Sequence, residues 1–437
     1  MLRRMSTLPA LALPVLATMV LTMFAPGPAR ADVASIPIQE TGIVDWVQDG
    51  DTFRFIEDGQ SNKVSVRLLG INTPEVAGFQ NEHFAFDFCG GIPAQSLLKQ
   101  ILPQGTRVQL RAFDKNDTNR GRPLRWVYAF NPATGQYDID VQAEMLKAGL
   151  AMWFTLDSEK ANSTEYRALV DAAQAAGVGI WNPAFCGPVE QPDAKIGLTV
   201  VWDAPENDAM NINGEYTIVR NNGSTPVDLS GWLLRDSSLE AWYTFPPGSV
   251  LAPGDYVTVH VGSGTAGSPD PHDRYMNAPR PIFANAATSP TLIGDGAYLL
   301  DTKTAYRAWT EYPCTTDCAD PAKGRVIISK VNPKAPPGPP AKRANAEYVV
   351  VKNTSAAPVD LGGYFLRRQI STYTFPPGTV IAPGKTIKVR IGRGTPTATT
   401  LYWGRPKTLL DDRGDSVQLV SPQAVVLSSK SWGKVKR

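Results

Sequence analysis

Three short stretches of the chain carry side chains whose types and spacing suit phosphate chemistry. Asp49-Gly50-Asp51-Thr52 leads into the alternating run Phe53-Arg54-Phe55-Ile56; Val64-Ser65-Val66-Arg67-Leu68-Leu69-Gly70-Ile71 runs into Asn72-Thr73-Pro74-Glu75; Asn119-Arg120-Gly121-Arg122 precedes Trp126-Val127-Tyr128. Taken singly they are weak signals, because Asp-Gly is first of all a turn and an arginine in a strand usually lies on a solvated face. Together they offer two hard oxygen side chains (Asp51 and Asn72), the backbone carbonyl of Thr73, a carboxylate base (Glu75) and two arginines (Arg67 and Arg122). Hard oxygens hold a hard divalent cation, and an ionised carboxylate takes a proton from water. Guanidinium forks fit a phosphodiester that gains charge on the way to its pentacoordinate transition state. The combination points to metal-assisted attack on a phosphodiester. Asp49 either closes the turn or adds charge through a water.

The elements that must position these groups are legible around them. The runs after Asp51 and before Asn72 alternate as half-buried strands do. Helices are predicted near Pro93 to Leu102, closed by Pro103; near Val141 to Lys147, ending at Gly149; and after Asn162. There Asn162 and Glu165 make an N-terminal cap arrangement, and Leu169, Ala172 and Ala176 form an apolar stripe before Gly177. Strands followed by such helices fit an α+β domain built on an OB-fold-type five-stranded barrel, over residues 42–188. No Gly-x-Ser-x-Gly elbow, Walker loop or dinucleotide fingerprint is present. The three histidines, His83, His260 and His272, lack catalytic partners in sequence, and His260 sits on an alternating strand where a structural role is expected.

The chain has 437 residues, 43% hydrophobic and 19% charged, enough for two to four cored domains and too apolar for wholesale disorder. Arg3 and Arg4, the apolar run Leu8 to Phe24, and Ala29-Arg30-Ala31 read as a secretory signal peptide over residues 1–31, cut before Asp32. Prolines 9, 14, 26 and 28 disfavour a retained spanning helix, so a secreted or cell-surface protein without an integral membrane span is expected. Export permits disulfides, and Cys89 with Cys186 and Cys314 with Cys318 are the favoured pairs; zinc at Cys314 and Cys318 would have only His272 nearby.

An internal repeat organises the second half. Val227-Asp228-Leu229-Ser230-Gly231-Trp232 returns as Val359-Asp360-Leu361-Gly362-Gly363-Tyr364, and Thr244-Phe245-Pro246-Pro247-Gly248 as Thr374-Phe375-Pro376-Pro377-Gly378. Between those blocks the offset falls from 132 to 130, so a duplicated domain has drifted in a loop. Short alternating runs punctuated by Pro-Gly pairs make each copy an antiparallel sandwich, with boundaries at 189–323 and 324–437. Net charge is −4 over 42–188, −9 over 189–323 and +14 over 324–437, so only the last domain is basic enough to seek polyanions such as nucleic acid or an anionic cell envelope.

The first domain resembles the thermonuclease family, typified by staphylococcal nuclease, and the two repeats resemble lamin-tail domains, an immunoglobulin-like family. The resemblance implies a mainly β protein with a catalytic barrel and two immunoglobulin-like sandwiches. It implies that Asp51, Asn72 and the Thr73 carbonyl hold Ca²⁺, that Glu75 activates water, and that Arg67 and Arg122 bind phosphate. Its implied activity is hydrolysis of DNA, with RNA as an open second substrate. Two departures stand out. Asn72 replaces the usual aspartate, with one charge fewer, and the family's nucleotide-lining tyrosines are not matched. Arg120, Thr155 and Asp157 fall near their places, so base stacking comes from elsewhere or is absent. The alternative is a binding or adhesion protein on an impaired nuclease fold, for which Asn72 is the sequence argument.

Overall fold

The computed structural model describes residues 35–78, 84–155, 160–205, 207–268, 270–288, 291–315 and 318–433. The expected leader, His83, Asp157 and the last four residues lie outside them.

The first domain closes five strands into a barrel. Ile38–Val47 pairs antiparallel with Thr52–Glu57 and with Arg107–Arg111, and Thr52–Glu57 continues to Lys63–Leu68. Arg107–Arg111 pairs with Arg122–Asn131, which runs parallel to Lys63–Leu68 and seals the ring. The alternation read in sequence is the alternation of the wall: Phe53, Phe55, Val66 and Leu68 point inward and are buried. Helices α1 (Gly91–Ile101), α2 (Val141–Lys147) and α3 (Ser163–Ala176) pack around it. The Asp140 carboxylate caps α2 by accepting from the Ala143 N–H at 3.0 Å.

Helix α3 differs from its predicted form in two respects. Asn162 precedes it but makes no side-chain cap; its amide donates to the Tyr128 and Tyr166 hydroxyls. The buried stripe is Tyr166, Val170 and Ala173, while Ala172 and Ala176 are exposed and Leu169 is half-buried. The helix is covered on a second side as well, and there its buried residues are polar. Ser163 donates to the Leu292 carbonyl, and Arg167 pairs with both Asp171 and Glu311. Apolar periodicity assumes that polar positions are wet, and on α3 Ser163 and Arg167 are covered instead, while Ala172 and Ala176 face solvent.

What covers α3 is the first sandwich. Its sheets are Ile196–Val201, Tyr216–Asn221, Tyr256–His260, Asp273–Tyr275 and Trp242–Thr244, Leu233–Asp236, Asp295–Leu300, Tyr306–Tyr312. The second sandwich repeats that order strand for strand, with Val326–Asn332, Tyr348–Asn353, Thr386–Arg390, Thr400–Tyr402 and Ser371–Thr374, Phe365–Arg368, Gly414–Val420, Val426–Gly433. Leu233, Tyr298, Leu300 and Tyr306 belong to the same buried cluster as the barrel, and the Trp181 ring lies 5.7 Å from Tyr306 and 5.2 Å from Trp309. The second sandwich packs on the first in turn: Phe365 lies 5.4 Å from Trp202, whose indole N–H donates to the Pro422 carbonyl at 2.7 Å. Disulfides join Cys89 to Cys186 and Cys314 to Cys318, as the sequence led one to expect. His260 is structural, held between the Asn213 carbonyl and Asp273.

Candidate active site

The seam of the barrel brings the separated motifs together. Arg67 is paired across the sheet with Thr52 on one side and with Leu124 on the other, so Asp51 and Arg122 flank it on neighbouring strands. The turn ahead of Asp51 is tight: the Asp49 carboxylate accepts the Asp51 N–H at 3.0 Å. A Cβ on Gly50 would come within 2.6 Å of the Thr73 hydroxyl and 2.7 Å of Ala94, so only glycine lets the turn lie against the Asn72–Glu75 segment. Asp49 therefore takes the turn role, while its carboxylate also faces the pocket.

Arg67 is the hub. It donates one Nη to the Asp51 carboxylate at 2.8 Å and the other to the Asn72 side-chain oxygen at 2.7 Å. Asp51 also accepts from the Thr73 N–H and hydroxyl at 2.9 and 3.0 Å. Arg122 is fixed by Thr52 Oγ1 at 3.1 Å and Asn119 Oδ1 at 2.7 Å. Burial, followed by the neighbouring charge of Arg67, lowers the Arg122 pKa from its usual value. Burial raises the Glu75 carboxyl, the Asp51 charge raises it further, and Arg235, Arg67 and Arg120 pull it back. Asp49 is pushed up to about 7 by burial and by Asp51.

Asp49, Asp51, Arg67, Asn72, Glu75, Arg120 and Arg122 line one pocket of about 210 Å³, and Thr73 is buried behind them without lining it. Its opposite wall comes from the first sandwich and was not legible in the motifs: Ser238, Leu239, Glu240 and Trp242, with Phe84 of the barrel domain beside them. Asn72 is the joint between the walls, its amide donating to the Ser237 carbonyl at 2.6 Å. An aspartate there has no hydrogen to give, so the departure from the thermonuclease pattern has a structural reason. Behind Ser237 lies Arg235, fully buried, which donates to the Asp236 and Ser237 carbonyls. Its Nη1 has no hydrogen-bond partner among the described residues, and its charge acts on Glu75. Thr155, near one missing tyrosine, is likewise turned to the sandwich and donates to the Gly294 carbonyl at 2.7 Å.

A family model described as Staphylococcal nuclease homologue matches residues 65–183, and one described as Lamin Tail Domain matches twice, over 192–313 and 319–434. The protein belongs to the lamin tail domain family and carries a staphylococcal nuclease homologue domain ahead of its two tail domains. No curated protein matches the chain. The matched part of the nuclease domain holds Arg67, Asn72, Thr73, Glu75 and Arg122, and Asp51 lies ahead of it, immediately before the strand Thr52–Glu57 that pairs with the strand of Arg67. Among the described residues no three Asp, Glu, His or Cys side chains gather as a metal centre, so a cation here would depend on the amide and backbone oxygens of Asn72 and Thr73. The donors fit that task. Asp51 and Asn72 already turn their oxygens to one cation, the Arg67 guanidinium, and they are hard ligands of the kind calcium takes.

Proposed function

We propose that the nuclease domain hydrolyses phosphodiester bonds of DNA, with RNA as a second substrate. The observation that carries this is the convergence of Arg67, Arg122, Glu75 and Asp51 on one pocket at the barrel seam. Arg67 and Arg122 bind the phosphate through bidentate forks and stabilise the charge that develops on its oxygens, in a pocket where burial keeps those interactions strong. Glu75 accepts a hydrogen bond from the attacking water and takes its proton; its raised pKa brings it closer to the strength of base that this needs near neutral pH. Asp51, Asn72 and the Thr73 carbonyl would hold Ca²⁺, which supplies Lewis-acid polarisation of the phosphate.

The apolar N-terminal run and the two disulfides support an exported protein; among the described residues no helix is long and apolar enough to cross a membrane. The binding-protein alternative rests on the charge that Asn72 lacks; the bond of its amide to Ser237 gives this residue a structural role beside that one. The test is hydrolysis of plasmid and single-stranded DNA and of RNA by the full chain, in Ca²⁺ and in chelator. Calcium-dependent cleavage is expected; a folded protein that cleaves none of them in Ca²⁺ overturns the proposal.

A further inference from the structure

The hairpin of the first tail domain that reaches the pocket is longer than its twin. Leu233 pairs with Thr244, eleven residues on, whereas Phe365 in the second copy pairs with Thr374, nine residues on. The two added residues are the drop in repeat offset, and they fall in the segment that supplies Ser238, Leu239 and Glu240 to the nuclease pocket. The loop is held in place. The Asp236 carboxylate accepts the Leu239 N–H at 2.8 Å and the Ser238 hydroxyl, and the Ser237 carbonyl is gripped by Asn72 and Arg235.

The hairpin ends on Trp242. Its ring lies 4.9 Å from that of Phe84, with the planes tilted by 51°, and both rings line the pocket that holds Arg67, Glu75 and Arg122. A phosphodiester in nucleic acid arrives with a base on either side. An aromatic face beside a phosphate-binding pair is therefore placed to stack on that base, whatever its sequence. The nuclease domain has no tyrosine among the pocket residues to do this.

We propose that the first tail domain is half of the substrate site, with Trp242 and Phe84 forming the platform for a base flanking the scissile phosphate. The inference rests on the hydrolytic reading above. It gives the tail domain a role in substrate recognition beyond attachment.

The test uses the full chain in Ca²⁺ with two single strands of equal length, oligothymidylate and a strand of abasic phosphodiesters. The readout is the ratio of kcat/KM for the two. Trp242→Leu keeps apolar bulk and removes the ring, and is expected to collapse the preference for the base-bearing strand about tenfold, with Trp242→Phe restoring most of it. Phe84→Leu, on the nuclease side, carries the same expectation should Trp242→Leu fail to fold. A purely structural role lowers both rates together and leaves the ratio unchanged; that result overturns the platform. Should the wild type cleave neither strand, the hydrolytic reading falls by itself. Fluorescence anisotropy of the same labelled strands then decides the platform: a tenfold loss of oligothymidylate affinity relative to the abasic strand supports it, and equal loss or none overturns it.

Discussion

The two tail domains share a fold, a strand order and many hydrogen bonds, yet they have been put to different uses. In each, an asparagine amide spans two loop carbonyls, Asn221 to Thr225 and Leu251, Asn353 to Ala357 and Ile381. The copies part at one hairpin. In the second, Arg368 pairs with Asp415 at 2.6 Å beneath a short turn whose tip, Ile370, is 93% exposed. In the first, the positions equivalent to Arg368 and Asp415 are Asp236 and Asp295. Burial raises both carboxyls and the Asp236 charge raises Asp295 further, while Ser237, Ser238 and Leu239 donate to them. An ion pair that closes a sheet end has become an acidic cradle for a longer loop that meets the nuclease. In a duplicated scaffold, the place where register slips and charge reverses marks where one copy gained a partner.

The comparison breaks first if catalysis does not lie on the nuclease side of the shared pocket. Glu75→Gln and Arg122→Ala should each lower turnover by about 10²–10⁴-fold with the far-ultraviolet spectrum unchanged. Wild-type turnover in either folded variant removes that residue from the chemistry and turns attention to Glu240, which the first tail domain sets in the same pocket.

The joint between the two walls is the next point of attack. Asn72→Asp sets a carboxylate against the Ser237 carbonyl, now 2.6 Å from the amide. It should destabilise the protein by about 1–3 kcal/mol in urea, because the Ser237 carbonyl loses the Asn72 donor, keeps only that of Arg235 and faces a buried carboxylate. Unchanged stability would mean that the two domains do not depend on this contact.

The copies also differ in pH response. Burial pushes Glu215 up to about 8 and raises its counterpart Glu347 as well. The folded Glu215 carboxyl keeps its proton to a higher pH than in the unfolded chain. Its contribution is therefore fully present below about pH 4.5 and is eroded as pH rises towards 8, by at most roughly 1.4 kcal/mol per pH unit. Glu215→Gln should flatten the urea midpoint between pH 5 and 8 more than Glu347→Gln. An equal or reversed order would show that the Glu215 carboxyl is not the more strongly raised of the two.

The smallest effect concerns the basic surface of the second copy. Lys385, Arg393 and Lys407 are exposed, and replacing all three by Glu should raise KM on long DNA several-fold at low salt, with a shallower salt dependence. A dinucleotide substrate should be nearly indifferent. Equal KM on long DNA would leave the +14 charge to another task, such as contact with an anionic envelope.

Much of the catalytic wall was legible because its groups sit next to strands that pair across one seam. Asp51, Arg67 and Glu75 lie within a single hairpin and its exit, and Arg122 begins the strand that closes the ring. The repeat and its sandwich class were legible for the same local reason. What the sequence hid was every face covered by another domain. Arg167 and Ser163 lie outside the apolar stripe read for α3 and are buried against the first tail domain. Trp242 stands in none of the motifs. The drop in repeat offset was the visible trace of its loop, and it carried no sign of where that loop would point.

The core that runs from the nuclease barrel into the first tail domain also sets an order of events in the life of the chain. A polypeptide emerges from synthesis or export with its N-terminus first, and domains tend to fold in that order. Here Trp181 cannot be covered until Tyr298 and Tyr306 have followed it, and the pocket lacks its second wall until the hairpin ending at Trp242 has docked. The barrel alone thus leaves the pocket unfinished, and its second wall comes from a domain that follows it in the chain.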